Sequence, residues 1–250
     1  MSAKKTPIIE VQGFSKSFGS KRVHQDLDFV LYSREVVSLI GGSGTGKSVF
    51  LRSLIGLNHP DSGRIFFKGR DVTNLSESEW CEVRKSIAYA FQGGALFDSL
   101  TVEENLRYPL DAHTQFSSSE KQKKIDAILD VLGMSGTQHL LPSDLSGGMQ
   151  KRAGLARAII LEPEVILYDE PTAGLDPFNT KNIQDIINEL KHKGQGGILV
   201  THDMPTAMAT SERISLLLDG RIAVSGPVAD LDNNPLVKAF VTGEEMHGKA

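Results

Sequence analysis

Eight residues, Gly41-Gly42-Ser43-Gly44-Thr45-Gly46-Lys47-Ser48, leave this chain few folds to choose from. An apolar run (Val36, Val37, Leu39, Ile40) precedes them and reads as a buried strand. Val49, Phe50, Leu51, Leu54 and Ile55 follow at helical spacing. The order is strand, glycine loop, helix. Glycines let the backbone curl until successive N–H groups face one phosphate, and the start of the helix adds its positive end. In such a loop Lys47 reaches the β- and γ-phosphates, and the Ser48 hydroxyl is a ligand of Mg²⁺. The competing reading, a glycine-rich turn that happens to end in Lys-Ser, does not explain the flanking strand and helix. The expectation is a phosphate-binding loop for a nucleoside triphosphate.

The 250 residues suffice for one domain or two small ones. With 40% hydrophobic and 23% charged residues the composition is that of a globular chain. A net charge of −4 gives no general electrostatic reason to expect nucleic acid, although a local basic patch stays possible. Cys81 is the single cysteine, so no intrachain disulfide can form. The N-terminus (Met1, Lys4, Lys5, Pro7) lacks the apolar core of a signal peptide, which leads us to expect a cytosolic location. The longest apolar runs, such as Ile214 to Leu218 and Val165 to Tyr168, are far shorter than the roughly 18 residues of a membrane span. Work at a membrane would need spans from other chains.

Along the chain, Ile8 to Val11 and Leu27 to Leu31 read as short strands with a turn at Ser17, Gly19 and Ser20. Pro60 to Gly63 are expected to stop the loop's helix and lead into a strand at Ile65 to Phe67, part of a small antiparallel addition. Ser76 with Glu79, Thr101 with Glu104 and Ser117 with Glu120 have capping-box spacing, which predicts three helices. In the third, Ile125, Ile128, Leu129 and Leu132 share one face, Gly133 ends it, and Glu120 to Lys124 read as a solvated face. Strands are then predicted at Val165 to Asp169 and Gly197 to Thr201, flanking an amphipathic helix marked by Ile183, Ile186, Ile187 and Leu190. A hairpin turns at Asp219-Gly220, and a short helix or two with a polar end close the chain. The fold class is α/β. A core of residues 1–94 and 162–250 carries a helical subdomain, residues 95–161, as an insertion.

Asp169 and Glu170 end a strand that is expected to lie beside the strand feeding Gly41. There Asp169 can hold Mg²⁺ while Glu170 orients and deprotonates the attacking water. Without a phosphate loop in the chain, solvated acids before Pro171 would be the better reading. His202 follows a strand directly, at the edge where open α/β sheets bind ligands, and can hydrogen-bond a γ-phosphate. The other histidines (His24, His59, His113, His139, His192, His247) read as surface or packing residues. Leu145 to Arg152, LSGGMQKR, opens another helix at Ser146, Gly147 and Gly148, a second anion site. One nucleotide cannot easily use both sites of one chain. Two chains head to tail, each offering its second site to the other, resolve this.

Taken together these stretches resemble the ATP-binding subunits of ABC transporters over nearly the whole chain. GGSGTGKS corresponds to Walker A, Ile166 to Glu170 to Walker B, LSGGM to the signature and His202 to the switch histidine. The resemblance implies a P-loop NTPase of ABC type with a RecA-like core, ATP and Mg²⁺ as its ligands, and hydrolysis with Lys47, Glu170 and His202 in catalytic roles. It implies that Gln92 senses Mg²⁺ and water and couples to a membrane subunit, that Ala173 to Asp176 cross a dimer interface, and that Phe18 stacks on adenine. Met149 departs from the glutamine usual after the signature glycines. Phe91 to Leu110 together with LPSDLSGGMQKR is similar to the ATPases of Mla-type lipid transporters; an exposed apolar cluster of Ala95, Leu96, Phe97, Leu100 and Val102 would suit docking of a permease helix, the alternative being that these residues pack the helical subdomain. This narrower resemblance implies phospholipid transport between two bacterial membranes. The partners it implies are an integral membrane permease, an MCE-domain lipid-binding protein and a small regulatory subunit, with the chain peripheral to the cytoplasmic face of the inner membrane. A transporter ATPase for another cargo, or a soluble ABC ATPase of iron–sulfur-assembly type, are the alternatives. ABC ATPases of DNA repair or translation would need a long coiled coil or a second nucleotide domain, and neither is present.

Overall fold

The computed structural model describes residues 6–231 and 233–242. The expectations for Met1, Lys4, Lys5, His247 and the polar end of the tail lie outside them. Ten strands are described: β1 (Pro7–Phe18), β2 (Lys21–Tyr32), β3 (Val36–Ile40), β4 (Ser62–Phe67), β5 (Arg70–Asp71), β6 (Ile87–Ala90), β7 (Val165–Asp169), β8 (Gly196–Val200), β9 (Arg213–Leu218) and β10 (Arg221–Pro227). The helices are α1 (Lys47–Ser53), α2 (Glu77–Val83), α3 (Val102–His113), α4 (Ser118–Val131), α5 (Gly147–Ile159), α6 (Pro177–His192), α7 (Met204–Thr210), α8 (Val228–Leu231) and α9 (Pro235–Thr242).

Strands β3, β7 and β8 are buried at every position, as parallel strands covered on both faces must be. Alternate residues of each serve different cores. Val37, Leu39, Val165, Leu167, Ile198 and Val200 pack with β1, β2, β4 and α1, whereas Val36, Ile166, Tyr168 and Leu199 pack with α3 to α6. The six-stranded sheet runs β10-β9-β3-β8-β7-β6, with β10 antiparallel at its edge; a second sheet runs β2-β1-β4-β5.

Strand β7 therefore does not lie beside β3, contrary to the expectation above: β8 separates them and pairs with both in parallel. Gly197 makes room for this. A Cβ there would come 2.8 Å from the Ile166 carbonyl oxygen and 2.9 Å from the Tyr168 ring, so only glycine lets that ring cover the strand. Two further differences have local causes. Strands β1 and β2 each run twelve residues rather than four or five, because register shifts such as that between Val11 and Phe14 carry the pairing through polar stretches. Helix α1 stops at Ser53, well before Pro60, as Gly56 turns the chain at φ 72° where the Trp80 ring leaves no space for a side chain.

All three predicted capping boxes form, at Ser76, Thr101 and Ser117. Each such cap contributes about 1 kcal/mol to its helix. Glu120 to Lys124 are more than a solvated face: Lys121 reaches Asp111 at 2.6 Å and Lys124 reaches Glu162 at 2.5 Å, which ties α4 to its neighbours. At the hairpin, Asp219 and Gly220 both have positive φ, 47° and 75°, as a tight two-residue connection between twisted strands requires.

Candidate active site

The loop between β3 and α1 is fixed from below. Gly46 has φ 98°, and a Cβ there would meet the side chains of Val23 at 2.4 Å and His24 at 2.8 Å. His24, fully buried between Phe14 and Phe50, lies with Nε2 3.1 Å from the Gly46 carbonyl oxygen. Burial pushes its pKa down against the pull of the Gly46 and Gly220 carbonyls, so the neutral ring donates through Nε2–H. On its own a histidine in β2 carries no sequence signal for this duty.

Lys47 Nζ donates to the carbonyl oxygens of Gly41 at 2.7 Å and Gly42 at 2.9 Å. Burial lowers its pKa, and the charges of Glu170 and Asp169 oppose that shift. Although β8 intervenes, Asp169 at the end of β7 meets the start of α1: Ser48 Oγ donates to Asp169 Oδ1 at 2.8 Å. The other carboxylate oxygen, Oδ2, accepts from the Tyr89 hydroxyl at 2.6 Å, a partner that sequence reasoning missed.

Glu170, the next residue, is held in the left-handed region at φ 51°, with its N–H donating to the Val200 carbonyl at 2.9 Å. Such a conformation costs a non-glycine residue about 1–3 kcal/mol and aims the side chain away from the strand direction. Its Oε2 sits 2.9 Å from His202 Nδ1 but off the line of the N–H, so this buried oxygen has no aligned hydrogen-bond partner. A buried acceptor of that kind suits a water or hydroxyl brought in by a ligand.

These residues converge on one cleft of about 750 Å³, lined by Phe18, Ser43, Gly44, Gly46, Lys47, Ser48, Gln92, Glu170 and His202. Phe18 is half exposed at its rim, with Lys16 Nζ 5.3 Å from the ring centre. Ser146, Gly147 and Gly148 do not line it. They open α5 elsewhere: Ser146 Oγ accepts from the Met149 N–H at 3.3 Å, and Gly148 packs beside the Asn179 amide. Ser146 and Gly147 are exposed.

The donor set fits Mg²⁺ in a particular way. Among the described residues no group of three or more His, Cys, Asp or Glu side chains converges as a metal cage. Ser48 and Asp169 offer two hard oxygens at one point beneath the phosphate loop. That is how Mg²⁺ is bound when substrate phosphates and waters complete the shell.

The apolar cluster expected at 95–102 divides. Val102 is fully buried, and Leu96 and Leu100 are half-buried, because α3 turns that face onto α5 and the sheet. What stays open is a groove of about 370 Å³ whose lining includes Leu57, Tyr89, Phe91, Phe97, Tyr108 and Arg157. Its loop is held by Asn105 and Arg157. Asn105, fully buried, accepts from the Phe97 N–H at 2.8 Å and donates to the carbonyls of Phe97, Leu100 and Thr101 at 3.0–3.1 Å. Arg157 on α5 donates to the Ala95 carbonyl at 2.6 Å and lies 5.1 Å from the Phe97 ring centre. Among the described residues no helix is long and apolar enough to cross a membrane.

Residues 24–173 match the ABC transporter family. The probable ribonucleotide transport ATP-binding protein mkl of Mycobacterium leprae is 39% identical over 241 residues, which cover 95% of this chain and 70% of that protein. The intermembrane phospholipid transport system ATP-binding protein MlaF of Escherichia coli is 34% identical over 239 residues, covering 94% of this chain and 89% of the relative. The dimeric structure of MJ0796, a bacterial ABC transporter cassette, superposes with a TM-score of 0.82 at 28% identity over 88% of this chain and 98% of that one. With a phosphate loop, a paired Ser48–Asp169, a cleft-facing Glu170 and His202, and these relatives, the chain belongs to the ABC transporter family as an ATP-hydrolysing, ATP-binding subunit close in sequence to the Mla type.

Proposed function

We propose that two copies of this chain close head to tail around two ATP molecules and thereby drive a membrane permease that moves phospholipid between two membranes. The observation that carries the dimer is the position of Ser146 and Gly147, exposed at the start of α5 and outside the cleft of their own chain. A helix N-terminus whose serine and first glycine face solvent serves a phosphate only if another molecule brings one. In this reading Gly41, Gly42, Ser43, Gly44, Thr45 and Gly46 wrap the phosphates with backbone N–H groups, Lys47 neutralises them, and Phe18 stacks on the base. Ser48, Asp169 and Gln92 hold Mg²⁺, which when bound neutralises phosphate charge. Glu170 takes a proton from the attacking water, and His202 donates to the γ-phosphate. Ser146, Gly147 and Gly148 of the second copy close over it. The helical stretch 95–161, inserted between residues 1–94 and 162–250, moves as the arm that carries them.

The permease helix would lie in the groove of Phe91, Phe97 and Tyr108, where exposed aromatic surface borders the Gln92 loop. The phospholipid cargo, and with it a peripheral place on the cytoplasmic face of the inner membrane, is supported by the match to nearly the full length of MlaF; the name of the mycobacterial relative favours ribonucleotide instead.

Mixing two inactive variants tests the dimer. Lys47→Ala spoils the loop and Ser146→Arg spoils the second site, yet a mixed dimer holds one site built from two intact halves. Random pairing gives half mixed dimers, each with one of two sites intact, so activity should return to about a quarter of the parental rate if the two sites turn over independently. No recovery, with mixed dimers demonstrated by tag exchange, would sink the head-to-tail arrangement. Gentle purification from native membranes, followed by identification of bound lipid and protein, tests the cargo: a permease arriving with an MCE-domain protein and phospholipid supports it, and a permease with a different cargo-binding protein refutes it.

A further inference from the structure

Tyr89 touches two places that the proposed function keeps apart. It is the third of four residues in β6, and its ring is buried. The hydroxyl donates to Asp169 Oδ2 at 2.6 Å while Ser48 donates to Oδ1 at 2.8 Å, so each carboxylate oxygen has its own donor from a different element. The ring lies against Phe91, with centroids 4.3 Å apart, and both rings line the groove on the far side. Arg52 of α1 also faces the hydroxyl.

A carboxylate turns easily about its last side-chain torsion, because sp³–sp² rotors have broad minima. One donor leaves that rotation free; two donors on opposite oxygens fix the plane. Ser48 and Tyr89 supply them from α1 and β6.

From these contacts we infer that Tyr89 is a positioning residue for the metal site: its hydroxyl sets the plane in which Asp169 presents an oxygen to Mg²⁺, and its ring ties that plane to Phe91 and the groove. The inference rests on Asp169 being the Mg²⁺ ligand proposed above. Partners that orient a ligating carboxylate are typically worth about 10–100-fold in metal affinity.

The test follows binding of a fluorescent ATP analogue to the full chain, first in EDTA and then across a Mg²⁺ titration. For Tyr89→Phe the affinity in EDTA should stay within about twofold of the parent, because no Tyr89 atom lines the phosphate loop, while the Mg²⁺ concentration giving half the effect should rise about tenfold. Phe91→Ala, which removes the ring beneath Tyr89, should move the same midpoint in the same direction by a smaller factor. An unchanged Mg²⁺ midpoint in Tyr89→Phe, or an equal loss of affinity with and without Mg²⁺, overturns the inference. If the parental chain itself shows no Mg²⁺ effect, the assignment of Asp169 fails and this inference falls with it. The two failures are thus told apart.

Discussion

Replacing Asn105 by alanine should loosen the groove loop while leaving the nucleotide cleft as it is. The side chain is fully buried and makes the contacts that hold Phe97 to Thr101: one N–H accepted and three carbonyls shared by its amide. Each such bond is worth about 0.5–1.5 kcal/mol net, and a buried group left unpaired costs about 1–3 kcal/mol. Water can reach the exposed side of Phe97, so part of the loss is recovered, and we expect a net destabilisation of about 2–4 kcal/mol. For a chain of this size that corresponds to a drop in Tm of roughly 4–8 °C. Asn105→Asp keeps the acceptor for the Phe97 N–H and for Arg157 Nη1, 3.3 Å away, but sets a charge against three carbonyl oxygens, so it should also loosen this loop. Urea unfolding measures the stability, and hydrogen exchange on residues 93–101 localises it; ATP affinity should stay within about twofold. A loss below about 1 kcal/mol, or faster exchange spread through the sheet rather than this loop, would refute the account.

Glu170→Gln should keep nucleotide affinity and lower turnover by about 10²–10⁴-fold, as loss of a general base does; parental turnover measured in single-round ATP hydrolysis would reassign the base. His24 makes stability depend on pH. Its folded pKa lies below the ordinary 6.5, so below that value the unfolded chain binds the extra proton and stability falls with decreasing pH. The unfolding free energy from urea titrations should decline from pH 7.5 to 5.5 by at most about 1.4 kcal/mol per pH unit from this group, and His24→Leu should flatten that part of the slope. An identical slope in the variant would remove His24 as the source.

What could be read from the sequence was what neighbouring residues decide. Ser76, Thr101 and Ser117 announce their helices because cap and partner are three residues apart, and Asp219-Gly220 announces its hairpin because both positions must take positive φ. The approach of Glu170 and His202 to the glycine loop was suggested by strand-end positions, that of Phe18 and Gln92 by the family resemblance, and the structure brings them together. Strand order was not legible, since Gly197 matters only once Tyr168 lies over it. Tyr89 and His24 were passed over for the same reason: each acts on a group far along the chain, Asp169 and Gly46, and nothing next to either residue marks it. Val102 was expected at the surface because an apolar residue at the start of a helix gives no sign of which way that helix will face.

Helix α5 carries Arg157 near one end and the Ser146 turn at the other, about 16 Å apart at 1.5 Å per residue. Arg157 grips the loop that borders the groove, so the helix is a lever with its handle there. A tilt of about 5° about the arginine end swings the serine end by about 1.4 Å, half the length of a hydrogen bond. Motion too small to disturb the packing of the groove is therefore large enough, at the far tip, to make or break contact with a phosphate.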